Sequence, residues 1–173
     1  MTIRTTLAGL ALAPALALPL ALPAAAQDMN TATAALMNTE GEEIGTATLE
    51  ETASGLTHVT IEAEGISEGI HGVHIHETGD CGDGDFSAAG GHLAGDMEHG
   101  LVEGGPHPGD LPNAHVQSDG VLAMEAFKSD LDWDMLMDDD GAAFVIHAGA
   151  DDYESQPSGD AGDRVACGVF EAG

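Results

Sequence analysis

The sequence of 173 residues has very few basic side chains: Lys and Arg together number three, against 31 Asp and Glu. An acidic surface of this kind repels phosphate backbones and anionic lipids, which excludes nucleic acid and membrane surfaces as partners. Aromatic residues make up only 3% of the chain, yet apolar residues still reach 43%. Because these apolar residues alternate with polar ones in a strand-like way, a disordered acidic chain is excluded as well.

The amino-terminal segment lacks acidic residues. It begins Met-Thr-Ile-Arg, is apolar from Leu7 to Pro23, and ends in three alanines before Gln27. A positive start, an apolar middle and an Ala-x-Ala exit are typical of a secretory signal peptide. We therefore predict a cleaved signal peptide over 1–26, a single domain over 27–173, and a periplasmic or otherwise exported protein without membrane attachment. A short membrane anchor is the alternative.

Basic residues and cysteines are so few that each can be considered singly. After cleavage at residue 26 the basic residues are Lys128 and Arg164, which against 31 acidic residues gives a formal charge of −29. The two cysteines, Cys81 and Cys167, are expected to pair, because exported proteins meet an oxidising environment. Two free buried thiols are the alternative.

No long segment with helical periodicity is found, and short alternating segments are predicted as strands instead. The eight segments are Thr31–Asn38, Glu43–Glu50, Gly55–Ala63, Ile70–His76, Ala114–Gln117, Val121–Ala126, Ala142–Ala148 and Arg164–Glu171. The fifth and sixth are predicted to form a hairpin, and 130–136 a helical turn or a loop that packs on the strands. Two long loops, 77–113 and 149–163, separate strands. The class expected is all-β, either a sandwich or a flattened barrel.

Histidines are concentrated in one stretch: six of the nine lie between Gly69 and Asn113. His74 and His76 are two apart in a strand, so both imidazoles project to the same face. Further potential ligands follow in glycine-rich sequence and at a later strand end: His92, His99, His107, Asp110 and His147. Imidazole suits zinc and copper, and a carboxylate is common at zinc. Seven ligands exceed the need of one tetrahedral ion, so we expect two sites, which could share a ligand.

The motifs around these residues resemble those of the copper/zinc superoxide dismutases, in particular the exported bacterial members. The first signature is similar to Gly69–His76 (GIHGVHIH) with Gly79-Asp80-Cys81, and the second to 159–168 (GDAGDRVACG). Between them, Gly90-Gly91-His92, Gly109-Asp110-Leu111 and 144–148 (FVIHA) follow in the family's order. The resemblance covers 32–171. It implies an eight-stranded flattened Greek-key barrel of immunoglobulin-like architecture with two long functional loops.

The resemblance also implies a role for each candidate residue. Copper would be bound by His74, His76, His92 and His147, and zinc by His92, His99, His107 and Asp110. Asp151 would hydrogen-bond a ligand of each metal, Arg164 would attract the anionic substrate to copper, and a Cys81–Cys167 disulfide would hold the loop. The implied activity converts two superoxide anions to oxygen and hydrogen peroxide by Cu(II)/Cu(I) cycling. Zinc would be structural, and His92 would serve as both bridge and proton donor.

Several points stay open in the sequence. His92 is followed by Leu-Ala-Gly-Asp, where the family often has an aromatic residue and then a proline, so His115 is an alternative to His99. His71 is expected to be structural, and His58 and His115 otherwise to lie at the surface. A non-catalytic exported copper/zinc-binding or copper-delivery protein on the same fold is the alternative function. Both monomer and homodimer are compatible with the resemblance.

Overall fold

The computed structural model describes residues 29–82 and 84–173, so the predicted signal peptide lies outside the described residues. The ten strands are β1 Thr31–Asn38, β2 Glu43–Glu51, β3 Thr57–Ala63, β4 Gly69–His71, β5 Val73–His76, β6 Ala114–Val116, β7 Leu122–Lys128, β8 Ala143–His147, β9 Arg164–Val169 and β10 Glu171–Ala172. Two short helices accompany them, a 3-10 turn at Ser87–Ala89 and α1 at Trp133–Leu136. Neither described helix is long and apolar enough to span a membrane.

A curled antiparallel sheet of eight strands forms the body of the molecule. Its order is β5-β8-β9-β1-β2-β3-β7, and β10 pairs with β1 beside this path. A second, two-stranded sheet joins β4 to β6. The expected all-β class is therefore confirmed. The predicted strand β3 shows why alternation was informative: Val59, Ile61 and Ala63 are buried, whereas Glu62 on the opposite face is exposed.

The strand predicted at Ile70–His76 is divided in two by Gly72. The Gly72 N–H donates to the carbonyl of Gly149, and its own carbonyl accepts from the His147 N–H. A Cβ at this position would lie 2.9 Å from the Cβ of Ala161, so only glycine fits. The chain consequently changes partners here, with β4 pairing with β6 and β5 pairing with β8.

The hairpin predicted over 114–126 is wrong. β6 pairs with β4, and β7 pairs with β3 along its whole length. The connecting turn does close, because the Gly120 N–H donates to the Gln117 carbonyl, but the Gly120 carbonyl accepts from Ile66 in another part of the chain. The predicted turn therefore forms, but it connects two strands that belong to different sheets.

Strand β8 is buried on both faces. Phe144 and Ile146 point into the main hydrophobic core, whereas Ala143 and Val145 contribute to a second cluster that also includes Phe86, Ala89 and Cys167. The first long loop supplies the cover over this second face. The predicted disulfide between Cys81 and Cys167 is confirmed, and it fastens the loop to β9. Closing a chain segment of this length can stabilise the fold by roughly 4–5 kcal/mol on the chain-entropy model.

Candidate metal centre

Two groups of buried side chains could each hold a metal ion, and they share one histidine. The first consists of His74, His76, His92 and His147, and the second of His92, His99, His107 and Asp110. Within each group the possible ligand atoms lie within 4.8 Å of one another. All the residues that the sequence singled out as ligands are thus brought together at one end of the sheet.

The first long loop reaches the site by running along the free edge of β5. Ile75 accepts from the Leu93 N–H and donates to the Gly109 carbonyl, and Gly109 donates back to Leu93. A Cβ on Gly109 would collide with the Ile75 carbonyl, so the close approach requires glycine. These backbone bonds bring His92 and Asp110 beside the two histidines of β5, with bridges His76–His92 and His74–Asp110.

In the first group, a hydrogen bond on one ring nitrogen orients the other nitrogen inward. Nε2 of His74 lies 2.7 Å from an Asp151 oxygen, Nδ1 of His76 lies 3.1 Å from the Gly90 carbonyl, and Nδ1 of His147 lies 3.3 Å from the Gly162 carbonyl. The opposite nitrogens, together with Nε2 of His92, are buried and have no hydrogen-bond partner among the described residues. Buried polar atoms are normally paired, so four converging unpaired nitrogens fit a metal ion.

The second group is organised by the carboxylate of Asp110. Its Oδ1 lies 3.0 Å from Nδ1 of His92, 3.1 Å from Nδ1 of His99 and 3.3 Å from Nδ1 of His107. Its Oδ2 is held in place by the backbone N–H groups of Gly100 and His107. His92 therefore presents Nδ1 to this group and Nε2 to the first group.

Asp151 connects the two groups. Its Oδ2 contacts Nε2 of His74 at 2.7 Å, and its Oδ1 contacts Nε2 of His99 at 3.0 Å and accepts from the Tyr153 N–H. A Cβ on Gly159 would overlap this carboxylate and the His99 ring, so the second loop can cross here only with glycine. Asp151 thus contacts one ring of each group.

Burial keeps three imidazoles of the first group neutral. It lowers the pKa of His74 to about 4, although the hydrogen bond that His74 donates to Asp151 acts in the opposite direction. Burial, with neighbouring positive groups, also lowers the pKa of His76 to about 2 and that of His147 to about 3. Metal ligation needs a neutral ring with a free lone pair, so these rings are prepared for it near neutral pH.

The two carboxylates stay ionised despite being buried. Burial alone would raise their pKa values, but hydrogen bonds from His92 to Asp110 and from His74 to Asp151 outweigh it. The pKa of Asp110 is consequently held below its ordinary value, and that of Asp151 falls to about 2. The site thus combines neutral imidazoles with fixed negative charge, which favours a cation.

Arg164 lies beside the first group at the start of β9. Its guanidinium donates to the carbonyls of Phe86 and Gly90, and the Gly90 carbonyl is also the partner of His76. Phe86 has a left-handed backbone with φ of 58°. The half-buried guanidinium is therefore held by the loop that the disulfide fastens to β9.

The remaining histidines lie outside both groups. His115 is exposed on β6, so of the two alternatives for this ligand it is His99 that the structure places in the second group. His58 is half-buried and stacks on Phe127. His71 is buried, with its ring nitrogens 2.7 Å from the His147 carbonyl and 2.9 Å from the Ser67 carbonyl, as suits a structural residue.

Three residues that support the site were not recognised in the sequence. Asn113 bonds both the N–H and the carbonyl of Asp151, and Gln156 does the same for His99. Lys128 donates to the Asp110 carbonyl. The sequence offered only weak signals for these residues. Asn113 and Gln156 lie in the two long loops near the ligands, and Lys128 is the only lysine in the chain.

Comparison with known proteins agrees with this geometry. The family model of copper/zinc superoxide dismutase (SODC) matches residues 43–170. The Cu-Zn superoxide dismutase of Caulobacter vibrioides is 40% identical over 150 residues, covering 82% of this chain and 86% of that protein. The superoxide dismutase-like protein YojM of Bacillus subtilis is 38% identical over 143 residues, covering 78% of this chain and 73% of that protein.

Solved structures show the same fold. A superoxide dismutase-like protein from Bacillus subtilis has a TM-score of 0.72 at 34% identity, covering 79% of this chain and 96% of that chain. The Cu/Zn superoxide dismutase from Brucella abortus has a TM-score of 0.67 at 31% identity, covering 82% of this chain and 99% of that chain. The predicted barrel architecture is thereby confirmed, and the chain belongs to the copper/zinc superoxide dismutase family.

Proposed function

We propose that this protein is a superoxide dismutase that binds one copper and one zinc. Copper would be held by His74, His76, His92 and His147, and zinc by His92, His99, His107 and Asp110. The observation that supports this most directly is the pair of buried ligand groups sharing His92, with Arg164 beside the first group.

The donor sets suit these two metals. Four imidazoles fit copper, whereas three imidazoles and a carboxylate fit zinc. When bound, copper supplies one-electron chemistry, so that one superoxide is oxidised to oxygen and a second, with two protons, is reduced to hydrogen peroxide. Zinc has no redox chemistry and would organise the loop.

The protein's own residues attract the substrate and handle the proton. Arg164 carries a positive charge at the mouth of the first group and draws in the superoxide anion. The Nε2 atom of His92 takes up and delivers a proton, since Nδ1 of the same ring faces the second group. Asp151 keeps the rings of His74 and His99 in orientation by accepting from each.

The test is to measure superoxide dismutation by metal-loaded protein and to count copper and zinc in the same sample. We expect one copper and one zinc per chain and rapid dismutation. Arg164→Gln should bind both metals normally but lose activity by about tenfold or more, because substrate attraction is lost.

A specific finding gives weight to a second function. One relative is described as superoxide dismutase-like rather than as a superoxide dismutase. A non-catalytic exported copper/zinc-binding or copper-delivery protein would share the ligands but have no evident use for Arg164. Full metal content without dismutation at any ionic strength would rule out the enzyme and support this alternative.

We also propose that the chain is exported, on the grounds of its amino-terminal sequence and its disulfide. Expression in a bacterial host, with fractionation and amino-terminal sequencing, should find a periplasmic protein that starts near Gln27. A cytoplasmic protein with an intact amino terminus would contradict the proposal. Sedimentation of the same sample would distinguish monomer from homodimer.

A further inference from the structure

The only lysine of the chain is buried next to the second ligand group. Lys128 is the last residue of β7 and is 9% exposed. Lysine is rarely buried unless its ammonium group is paired, and in so acidic a chain many exposed carboxylates could have bound it at the surface. The burial of Lys128 next to the second ligand group therefore needs an explanation.

The contacts of Lys128 are with the backbone of two proposed zinc ligands. Its Nζ donates to the Asp110 carbonyl at 3.0 Å and to the His107 carbonyl at 3.5 Å, and it lies 3.1 Å from the Asp130 carboxylate. His107 and Asp110 also bond each other, through the Asp110 N–H to the His107 carbonyl and the His107 N–H to the Asp110 carboxylate. The ammonium thus ties a closed four-residue turn to a strand of the sheet.

We infer that Lys128 is a positioning residue for zinc, which fixes the turn 107–110 so that His107 Nδ1 and the Asp110 carboxylate face the ion. This rests on the proposed assignment of zinc to the second group. An ammonium has three donors and can serve both carbonyls and Asp130 at once, which no neutral side chain of similar length can do. Loss of the donors would leave the buried carbonyl of Asp110 without this partner and free the turn to shift.

The effect should be larger on zinc than on copper. Three of the four copper ligands, His74, His76 and His147, belong to strands of the main sheet, and the ring of the shared His92 contacts the turn that Lys128 holds, through Asp110. Lys128 also makes no contact with the oxygen of Asp110 that faces the rings; it acts through the backbone. Zinc affinity is therefore the quantity that should change most.

The first test measures metal binding to metal-free protein carrying Lys128→Met, which keeps the length of the side chain but removes its donors. Zinc affinity, from competition with a chelator, should fall by about 10–100-fold, and copper affinity should fall much less. Cobalt(II) bound in place of zinc should show altered visible bands. The matched control is Asp130→Asn, which removes the negative charge of the exposed partner but leaves the carbonyl contacts and should bind zinc normally.

Unchanged zinc affinity and an unchanged cobalt spectrum in Lys128→Met would overturn the inference. An equal loss of zinc and copper would overturn it too, since that would show a general structural role. Neither result depends on dismutase activity. Wild-type protein that binds zinc but fails to dismutate superoxide would contradict the proposed enzyme and leave the role of Lys128 standing.

A second test needs no variant. If Lys128 helps zinc to bind, zinc must in turn hold Lys128 in place, because coupling between two equilibria is reciprocal. Amine-specific labelling of the wild-type protein can be read at this single lysine by mass spectrometry. Zinc should slow its modification by about tenfold or more, whereas copper alone should not. Equal labelling with and without zinc would contradict the inference.

Discussion

Asp151 is the residue at which the two ligand groups meet. Each carboxylate oxygen accepts from one ring, His74 on one side and His99 on the other. In Asp151→Asn one oxygen becomes an NH2 group, which cannot accept, so one ring loses its orientation. We expect affinity for at least one metal to fall by about 10–100-fold, as measured by titration of the metal-free protein.

The control for this substitution is Asp160→Asn, which neutralises an exposed carboxylate in the same loop. It should bind both metals normally. Equal metal affinities in Asp151→Asn and Asp160→Asn would contradict the prediction and show that the two hydrogen bonds of Asp151 do not contribute to metal binding.

Three histidines of the first group make the metal-free protein sensitive to acid. Their pKa values in the folded state, about 4, 2 and 3 for His74, His76 and His147, lie below the ordinary value of 6.5. Below about pH 6.5 the unfolded chain therefore binds more protons than the folded chain does. As a result, the free energy of unfolding decreases as the pH falls. Each histidine adds about 1.4 kcal/mol per pH unit to this slope.

Denaturant unfolding of chelator-treated protein between about pH 7.5 and pH 4.5 measures this dependence. In His147→Phe the free energy of unfolding should change less steeply with pH, by the amount that corresponds to one bound proton. His115→Gln, at an exposed position, should keep the wild-type slope. A constant free energy of unfolding across the range would contradict the lowered pKa values.

The strands show which elements a sequence can reveal. β1, β2 and β3 were predicted to within two residues because each buries alternate side chains within one sheet. The break at Gly72 was missed, since the apolar pattern continues through it and the break arises from pairing with Gly149, far along the chain. The pairing of β6 with β4 has the same cause, a distant partner that outweighs a local turn signal.

Within the site, too, some residues could be predicted from the sequence and others could not. Metal-binding side chains can be identified from their chemistry and their clustering in the sequence, so the ligands were predicted as a set. Asn113, Gln156 and Lys128 bind backbone atoms of those ligands, and any residue has such atoms. Their contacts depend on the folded path of the loops and could not be predicted from residue type.

The disulfide acts on the first long loop as an element. It fixes the segment that begins at Cys81, and this segment supplies the carbonyls of Phe86 and Gly90 that hold Arg164. Replacing both cysteines by alanine should cost about 2–5 kcal/mol of stability. Because Arg164 loses its fixed position, dismutation should also fall while copper and zinc remain bound.

Thermal unfolding, metal counts and dismutation rates of the double variant would test this together. The folded, metal-loaded variant should be assayed well below its melting temperature, so that loss of stability does not itself lower the rate. A rate equal to that of the wild type would show that the carbonyls alone hold Arg164.

At the scale of the whole molecule, charge opposes the proposed reaction. A chain with a formal charge of −29 after residue 26 repels an anionic substrate, and the second loop adds five carboxylates and no lysine. Salt screens exposed charges over about 10 Å at 0.1 M. The second-order rate of dismutation should therefore rise with ionic strength, as measured by stopped-flow decay of superoxide.

Matched variants separate local from distant charge. Glu154→Gln, in the second loop, should raise the rate at low salt more than Glu43→Gln on β2, although each removes one exposed negative charge. A rate that falls as salt is added would contradict the prediction and show that Arg164 dominates the approach of substrate.

The unpartnered ring nitrogens also have a consequence for how long the protein survives. Metal binding to them stabilises only the folded chain, so the population of open molecules falls as metal is supplied. Proteases cleave that open population when opening is fast relative to cutting. A molecule that has found no metal is thus the one most readily degraded, and turnover would remove empty chains before loaded ones.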